Sequence, residues 1–392
     1  MNRIAVSHVY VDQAIRDHAF TRRILQNLKA LPVTTINDIG EIPITEFTIR
    51  SAKKILYLTR HKGLFCKPCP GTTESYLCCN YFVINESTGC PLDCSYCILQ
   101  DYLDIPLLRI FVNYEQIFDE YDQLQSQYPD RIFRIGTGEL ADSLALDPLS
   151  GLSSLLVPYF SHKRNTLFEL KTKTSILPFL KSYRQIGNIV LSWSLNPDRL
   201  IRRYERGAAG FSNRLQAAQD AAKQGFLLSF HLDPIIHHDG WEKNYADLVD
   251  QLFLKINPER IVWISMGALR FTPGLKELIS ERYPESPLIR DEQVSGMDKK
   301  IRYFKPLREN MFETIYRRIR KHSDTIFVYY CMEDKKIWEK TMGFAPINSN
   351  HLDYLFAKSL TERFPGLNFT NPDYEYYQSL RFRHDPEVQR TL

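Results

Sequence analysis

Cys90, Cys94 and Cys97 fall in the run Gly89-Cys90-Pro91-Leu92-Asp93-Cys94-Ser95-Tyr96-Cys97, the stretch of this 392-residue chain richest in chemistry. A Cx3CxxC spacing supplies three thiolates close enough to hold three irons of one [4Fe–4S] cluster. The fourth iron is then left without a protein ligand. A cluster built only for electron transfer takes four cysteines, so an open iron implies that something else binds there. The same thiolates, completed by Cys78 or Cys79, would also serve a tetrahedral zinc ion. Seven of the eight cysteines lie between Cys66 and Cys97, and only Cys331 stands apart. That bunching points to metal or redox chemistry rather than a disulfide framework.

The elements that must position these residues follow a simple rhythm. Short apolar or β-branched runs at 81–85, 131–135, 167–170, 189–194, 226–232, 261–266 and 325–331 alternate with amphipathic stretches at 114–128, 212–223, 241–254, 274–283 and 308–322. Strands alternating with helices predict a parallel sheet with crossover helices. The chain divides by this reading into a lead-in region over 1–75, a barrel-like domain over 76–332 and a C-terminal extension over 333–392. The last residues of the extension are expected to be weakly held.

In such a sheet the functional loops follow the C-terminal ends of the strands. The cysteine loop follows the first strand, and Gly136-Thr137-Gly138-Glu139 follows the second. Lys171 and Lys173 follow the third, Ser194 and Asn196 end the fourth, Asp233 ends the fifth and Arg270 follows the sixth. Two glycines let backbone approach a ligand closely, and a carboxylate accepts a charge-assisted bond from an ammonium group. Gly138 and Glu139 are therefore expected to hold the amino end of a ligand; the bland alternative is a strand-ending turn with a solvated glutamate.

Cys66, Cys69, Cys78 and Cys79 suit an auxiliary metal or cluster, reactive thiols or simple packing. His237 and His238 are adjacent, so in extended chain they point opposite ways and do not make a metal pair. The segment 299–308, with Arg302, Tyr303, Phe304 and Lys305, mixes cations with aromatics in the manner of a surface for stacked bases and phosphates; a solvated basic loop would read the same.

The cysteine spacing resembles the signature of the radical S-adenosylmethionine superfamily. Taken with Thr88-Gly89-Cys90, Leu99-Gln100, Phe111-Val112-Asn113, Thr172-Lys173, Ser194-Leu195-Asn196, Gly240-Trp241-Glu242 and Arg270-Phe271-Thr272, it resembles the spore photoproduct lyase family within it. The resemblance implies a partial (β/α)6 barrel of the TIM type, a [4Fe–4S] cluster on Cys90, Cys94 and Cys97, and S-adenosylmethionine cleaved to a 5′-deoxyadenosyl radical. It implies that Tyr96, Glu139, Lys173, Ser194 and the Asp233 backbone contact S-adenosylmethionine, and that the Arg302-Tyr303 region meets a thymine lesion in DNA. One departure matters: the family's hydrogen-donating cysteine after the second strand aligns with Glu139. A carboxylic O–H is too strong a bond to return hydrogen to a carbon radical, so Cys69, Cys78, Cys79 or Cys331 must supply it, or the substrate differs.

Net charge is +4, too small for a global argument for nucleic acid. The opening Met1-Asn2-Arg3-Ile4-Ala5-Val6 has no long apolar core of a secretory signal, and no apolar run reaches the roughly 18 residues of a membrane span. The expectation is a cytoplasmic monomer acting on damaged DNA, reduced by a flavodoxin or ferredoxin-type carrier. Rival readings are a radical enzyme acting on RNA, protein or a small molecule with a second cluster, and a non-enzymatic zinc-binding nucleic-acid module.

Overall fold

The computed structural model describes residues 6–70, 75–177, 182–183 and 187–381. The chain end expected to be weakly held lies outside these residues, as do Met1 to Ala5. Apolar runs give strands β1 (Phe82–Ile84), β2 (Phe133–Thr137), β3 (Thr166–Thr172), β4 (Ile189–Ser194), β5 (Leu227–Ile235), β6 (Ile261–Ala268) and β7 (Phe327–Tyr330). Each pairs in parallel with the next, and the antiparallel strand Cys66–Pro68 extends the β1 edge to make an eight-stranded sheet. Strands β2, β4 and β6 are buried along their whole length, as expected for a parallel sheet covered by crossover helices. Among the described residues the two edge strands are not paired to each other, and the curled sheet is an open half-barrel, the architecture that the family resemblance implies.

The apolar faces of helices Glu115–Gln127, Phe211–Lys223, Trp241–Lys255 and Lys305–Arg320 bury Ile117 and Tyr121, Leu215 and Ala218, Leu248 and Val249, and Phe312 and Ile315. Inside the curl, period-two alternation lines up polar side chains instead. Glu169 accepts from Tyr81 at 2.6 Å and lies 2.7 Å from His231 Nε2, whose Nδ1 is 2.6 Å from Ser265. Burial would raise the Glu169 pKa, but His231 and Lys171 hold it well below the usual carboxylate range.

The first residues build a sheet of their own. Strands His8–Asp12, Val33–Ile36 and Ile55–Thr59 run parallel and are joined by Leu108–Phe111 and then Ser87–Thr88. The strand pairing therefore crosses position 75, and the residue pair immediately before the cysteine loop is anchored in this second sheet. The C-terminal extension packs back as helices Lys335–Met342, Ser349–Arg363 and Tyr374–Ser379. Asp353 pairs with the buried Arg131 at 3.0 Å, and Tyr377 accepts from Ile132 N–H at 3.0 Å.

Candidate active site

The cysteine loop leaves Ser87–Thr88 through Gly89, whose φ of 81° and contact with Leu107 (an added Cβ would lie 2.2 Å from its carbonyl oxygen) admit only glycine. Asp93–Cys94 then pairs antiparallel with Glu205–Arg206. Gln100 fastens the loop from below: its amide donates to the carbonyls of Cys94 (3.2 Å), Ser95 (3.1 Å) and Cys97 (3.2 Å). Arg282 braces both Gln100 and Asp93. These bonds hold backbone and leave the three thiols directed into one pocket.

That pocket, with about 620 Å³ of space including its open mouth, is lined by Cys90, Cys94, Tyr96, Cys97, Gly138, Glu139, Asp142, Lys171, Lys173 and Ser194. It lies at the C-terminal ends of β1 to β4. Burial pushes the Cys90 thiol up to about 12 and Cys94 well above its ordinary value. Both need a bound metal charge to ionise. Among the described residues no three His, Cys, Asp or Glu side chains converge as a single metal ion requires. Three thiols lining one pocket suit a cluster in which each takes a different iron.

Gly138 turns the chain after β2 at φ 93°, and an added Cβ would sit 2.7 Å from Ser143 Oγ. Glu139 follows, largely buried. Burial raises its pKa, with Lys171 and Lys67 drawing it back. Asp142 ties this loop to the end of β3: its carboxylate accepts from Leu144 N–H, Ala145 N–H, Thr172 Oγ1 (2.6 Å) and Lys173 N–H (2.7 Å). Lys173 Nζ then reaches Tyr96 Oη at 3.2 Å and Glu205 at 3.4 Å. Glu205 also accepts from the Tyr96 phenol, from Asn196 at 3.1 Å and from Arg214, and Arg214 donates to the Ser194 carbonyl at 2.7 Å. Burial would raise the Glu205 pKa, but Lys173 and Arg214 hold it well below the usual range. Sequence reasoning passed over Glu205, Arg214 and the bracing role of Asp142. The one signal was a lone acid among the cations of Arg202-Arg203-Tyr204-Glu205-Arg206.

The structure brings together Cys90, Cys94, Cys97, Tyr96, Gly138, Glu139, Lys173 and Ser194. Asn196 is turned into the Glu205 network and toward Tyr245 (2.8 Å), and Asp233 is ion-paired with Arg270 at 3.1 Å. Arg270 also approaches Cys331 Sγ at 3.7 Å, just past the end of β7. Electrostatic proximity groups Cys331 with Cys79 and Cys69. Cys66 faces Ile117 and Glu120 of a crossover helix, and Cys78 is buried with its N–H on Ser349.

The basic segment is smaller than its sequence suggests. Strand Ile301–Tyr303 pairs with Arg270–Phe271 and Gln293–Ser295. Arg302 is buried in an ion pair with Asp298 and lies over the Tyr76 ring. Tyr303 is buried and accepts from His237 N–H at 3.1 Å. Neither side chain is offered at the surface, and Arg308 is spent on Glu333. Lys305 pairs with Asp334 at 3.0 Å, while Met297 at the hairpin tip is 62% exposed. Arg318 pairs with Asp250, and Arg320 donates to carbonyls beyond its helix. His237 and His238 find separate partners, Asp291 and Asn244.

An open parallel half-barrel with three thiols, a glycine-glutamate turn and a lysine around one pocket at its C-terminal edge defines a radical S-adenosylmethionine enzyme. Residues 7–326 match the family model described as spore photoproduct lyase, and the chain belongs to that family. The spore photoproduct lyase of Bacillus subtilis (strain 168) is 27% identical over 266 residues, 66% of this chain and 75% of that protein. That of Geobacillus sp. (strain Y412MC61) is 28% identical over 214 residues, 54% of this chain and 63% of its own length. A solved mutant spore photoproduct lyase with bound AdoMet and dinucleoside spore photoproduct has a TM-score of 0.74 at 23% identity, covering 83% of this chain and 98% of that one. Its likeness speaks for the fold. Family membership sets aside the zinc-module reading. Among the described residues no helix is long and apolar enough to cross a membrane.

Proposed function

We propose that the chain uses a [4Fe–4S] cluster and S-adenosylmethionine to act on a cross-linked thymine lesion in DNA. One observation carries this reading: Cys90, Cys94 and Cys97 share a single pocket with Glu139, Lys173 and Ser194, while the hairpin 293–303 packs against Arg270–Phe271, next to β6. Bound there, the cluster and S-adenosylmethionine supply a carbon radical able to take a hydrogen atom from substrate.

The remaining work falls to side chains. Cys90, Cys94 and Cys97 hold the cluster, and Gly138 lets backbone approach the methionyl end while Glu139 takes its ammonium group. Lys173, itself held by Asp142 and Glu205, fixes Tyr96 against the pocket wall. The exposed Met297 suits insertion beside an unstacked base.

Hydrogen return falls to Cys331. It stands at the C-terminal edge of the sheet beside Arg270, whereas Cys66 and Cys78 are buried against helices. A thiol S–H is weak enough to give its hydrogen to a product radical, and Glu139 is not.

Anaerobic reconstitution, followed by reduction with dithionite in the presence of S-adenosylmethionine and a dinucleoside spore photoproduct, tests the reading. The expected result is 5′-deoxyadenosine together with two thymidines. Deoxyadenosine without any change in the lesion keeps the radical assignment and defeats the repair assignment.

A further inference from the structure

The residues of the cysteine loop alternate between two cavities. Cys90, Leu92 and Cys94 line the candidate active site, while Pro91 and Asp93 line a second cavity, about 640 Å³ of space including its open mouth, with Arg50, Lys53, Lys54, Arg206 and Gly207. In the short strand Asp93–Cys94 the acid faces this outer cavity and the thiol faces the inner pocket, as alternation of successive side chains requires. Four cations surround a single carboxylate there, and Asp93 is already paired with Lys53 at 3.2 Å, Arg282 at 3.1 Å and, at 3.6 Å, the exposed Arg50. Arg50, Lys54 and Arg206 are exposed. Lys53 is different: it is mostly buried and holds the loop, donating to the Leu92 carbonyl at 2.5 Å.

From this juxtaposition we infer that the Arg50–Lys54–Arg206 face is the docking surface for an acidic one-electron carrier protein. The inference rests on the radical reading above, which requires an electron at the cluster while substrate fills the inner pocket. The outer face offers the short route that leaves that pocket free. A carrier with reduced flavin or iron–sulfur centre gives up one electron and is oxidised by one. The site's cluster gains that electron, with no atom transferred. An excess of positive charge steers an acidic partner and orients it over the loop. Nucleic acid is the weaker fit, since the hairpin attributed to the lesion stands elsewhere, beside β6 and Arg270.

The test is the double charge reversal Lys54→Glu, Arg206→Glu in the reconstituted holoenzyme, which leaves the Arg50–Asp93 contact of the cysteine loop in place. S-adenosylmethionine cleavage is driven in parallel by dithionite and by enzymatically reduced flavodoxin, and flavodoxin binding is measured separately by fluorescence anisotropy. The inference expects unchanged cleavage with dithionite, a flavodoxin KM raised at least about tenfold with little change in kcat, and a matching loss of binding. In the wild type both KM and Kd should climb with salt. Unchanged flavodoxin kinetics and binding in the variant overturn the inference, as does a variant that loses duplex DNA binding while using flavodoxin normally. If the wild type itself fails to cleave S-adenosylmethionine with dithionite, the radical reading falls instead.

Discussion

Lys173 Nζ lies 3.4 Å from Glu205 Oε1, joining the end of β3 to the short strand that pairs with Cys94. This ion pair couples the third strand to the cysteine loop through two residues distant in sequence. Glu205 is fully buried and serves Tyr96, Asn196 and Arg214 as well.

Glu205→Gln should therefore cost about 3–5 kcal/mol, because it strands two cations in a buried site. Urea unfolding measures the loss. The wild-type contribution also has a defined pH window. With the folded pKa below the ordinary value of 4.5, stabilisation is complete above that value and is lost as pH falls through the folded value. The Gln variant should lack this acid limb.

Glu139→Gln should weaken S-adenosylmethionine binding about tenfold or more while iron content stays at wild-type level, since the amide cannot pair with an ammonium group. Equilibrium dialysis on reconstituted protein reads this directly. Because burial raises the Glu139 pKa, wild-type affinity should decline with falling pH earlier than an ordinary glutamate would allow. Gly138→Ala should be at least as harmful, given its φ of 93° and the 2.7 Å approach to Ser143.

Cys331→Ala should leave deoxyadenosine formation intact but cut the yield of correctly restored product, with the unquenched radical diverted to side products. Product analysis by mass spectrometry after single turnover separates the two. Cys78→Ser should show no such diversion. Equal yields from wild type and Cys331→Ala would remove Cys331 as the hydrogen source.

Glu86 is buried between β1 and the cysteine loop, and burial, with Asp142 and Asp147 adding, lifts its pKa to about 8. The folded state keeps a proton that the unfolded chain releases near 4.5, so stability falls as pH rises between the two values. Glu86→Gln should match the wild-type Tm near about pH 5 and exceed it by several degrees near about pH 9, as followed by thermal circular dichroism.

Local pattern and residue chemistry were enough to place the alternating strands, the three-thiol loop and the glycine-glutamate turn. Each rests on neighbours in sequence: β-branched runs, a Cx3CxxC spacing, two glycines before an acid. Run 189–194 coincides with strand β4, and run 325–331 contains β7. Only the tertiary structure decided which of the remaining polar residues face the site. Asn196 and Asp233 end strands as anticipated, yet each is claimed by a partner far along the chain. Arg302 and Tyr303 look like a surface in sequence, but Asp298, Tyr76 and His237 bury them.

The bracing of the loop by Gln100, Arg282 and Glu205, and the pairing of strands from the first sixty residues with Leu108–Phe111 and Ser87–Thr88, were illegible. They depend on long-range hydrogen bonds and parallel pairings that no local periodicity encodes. Sequence names the groups capable of chemistry; which of them are free to perform it is set by how burial forces every other charge to find a partner.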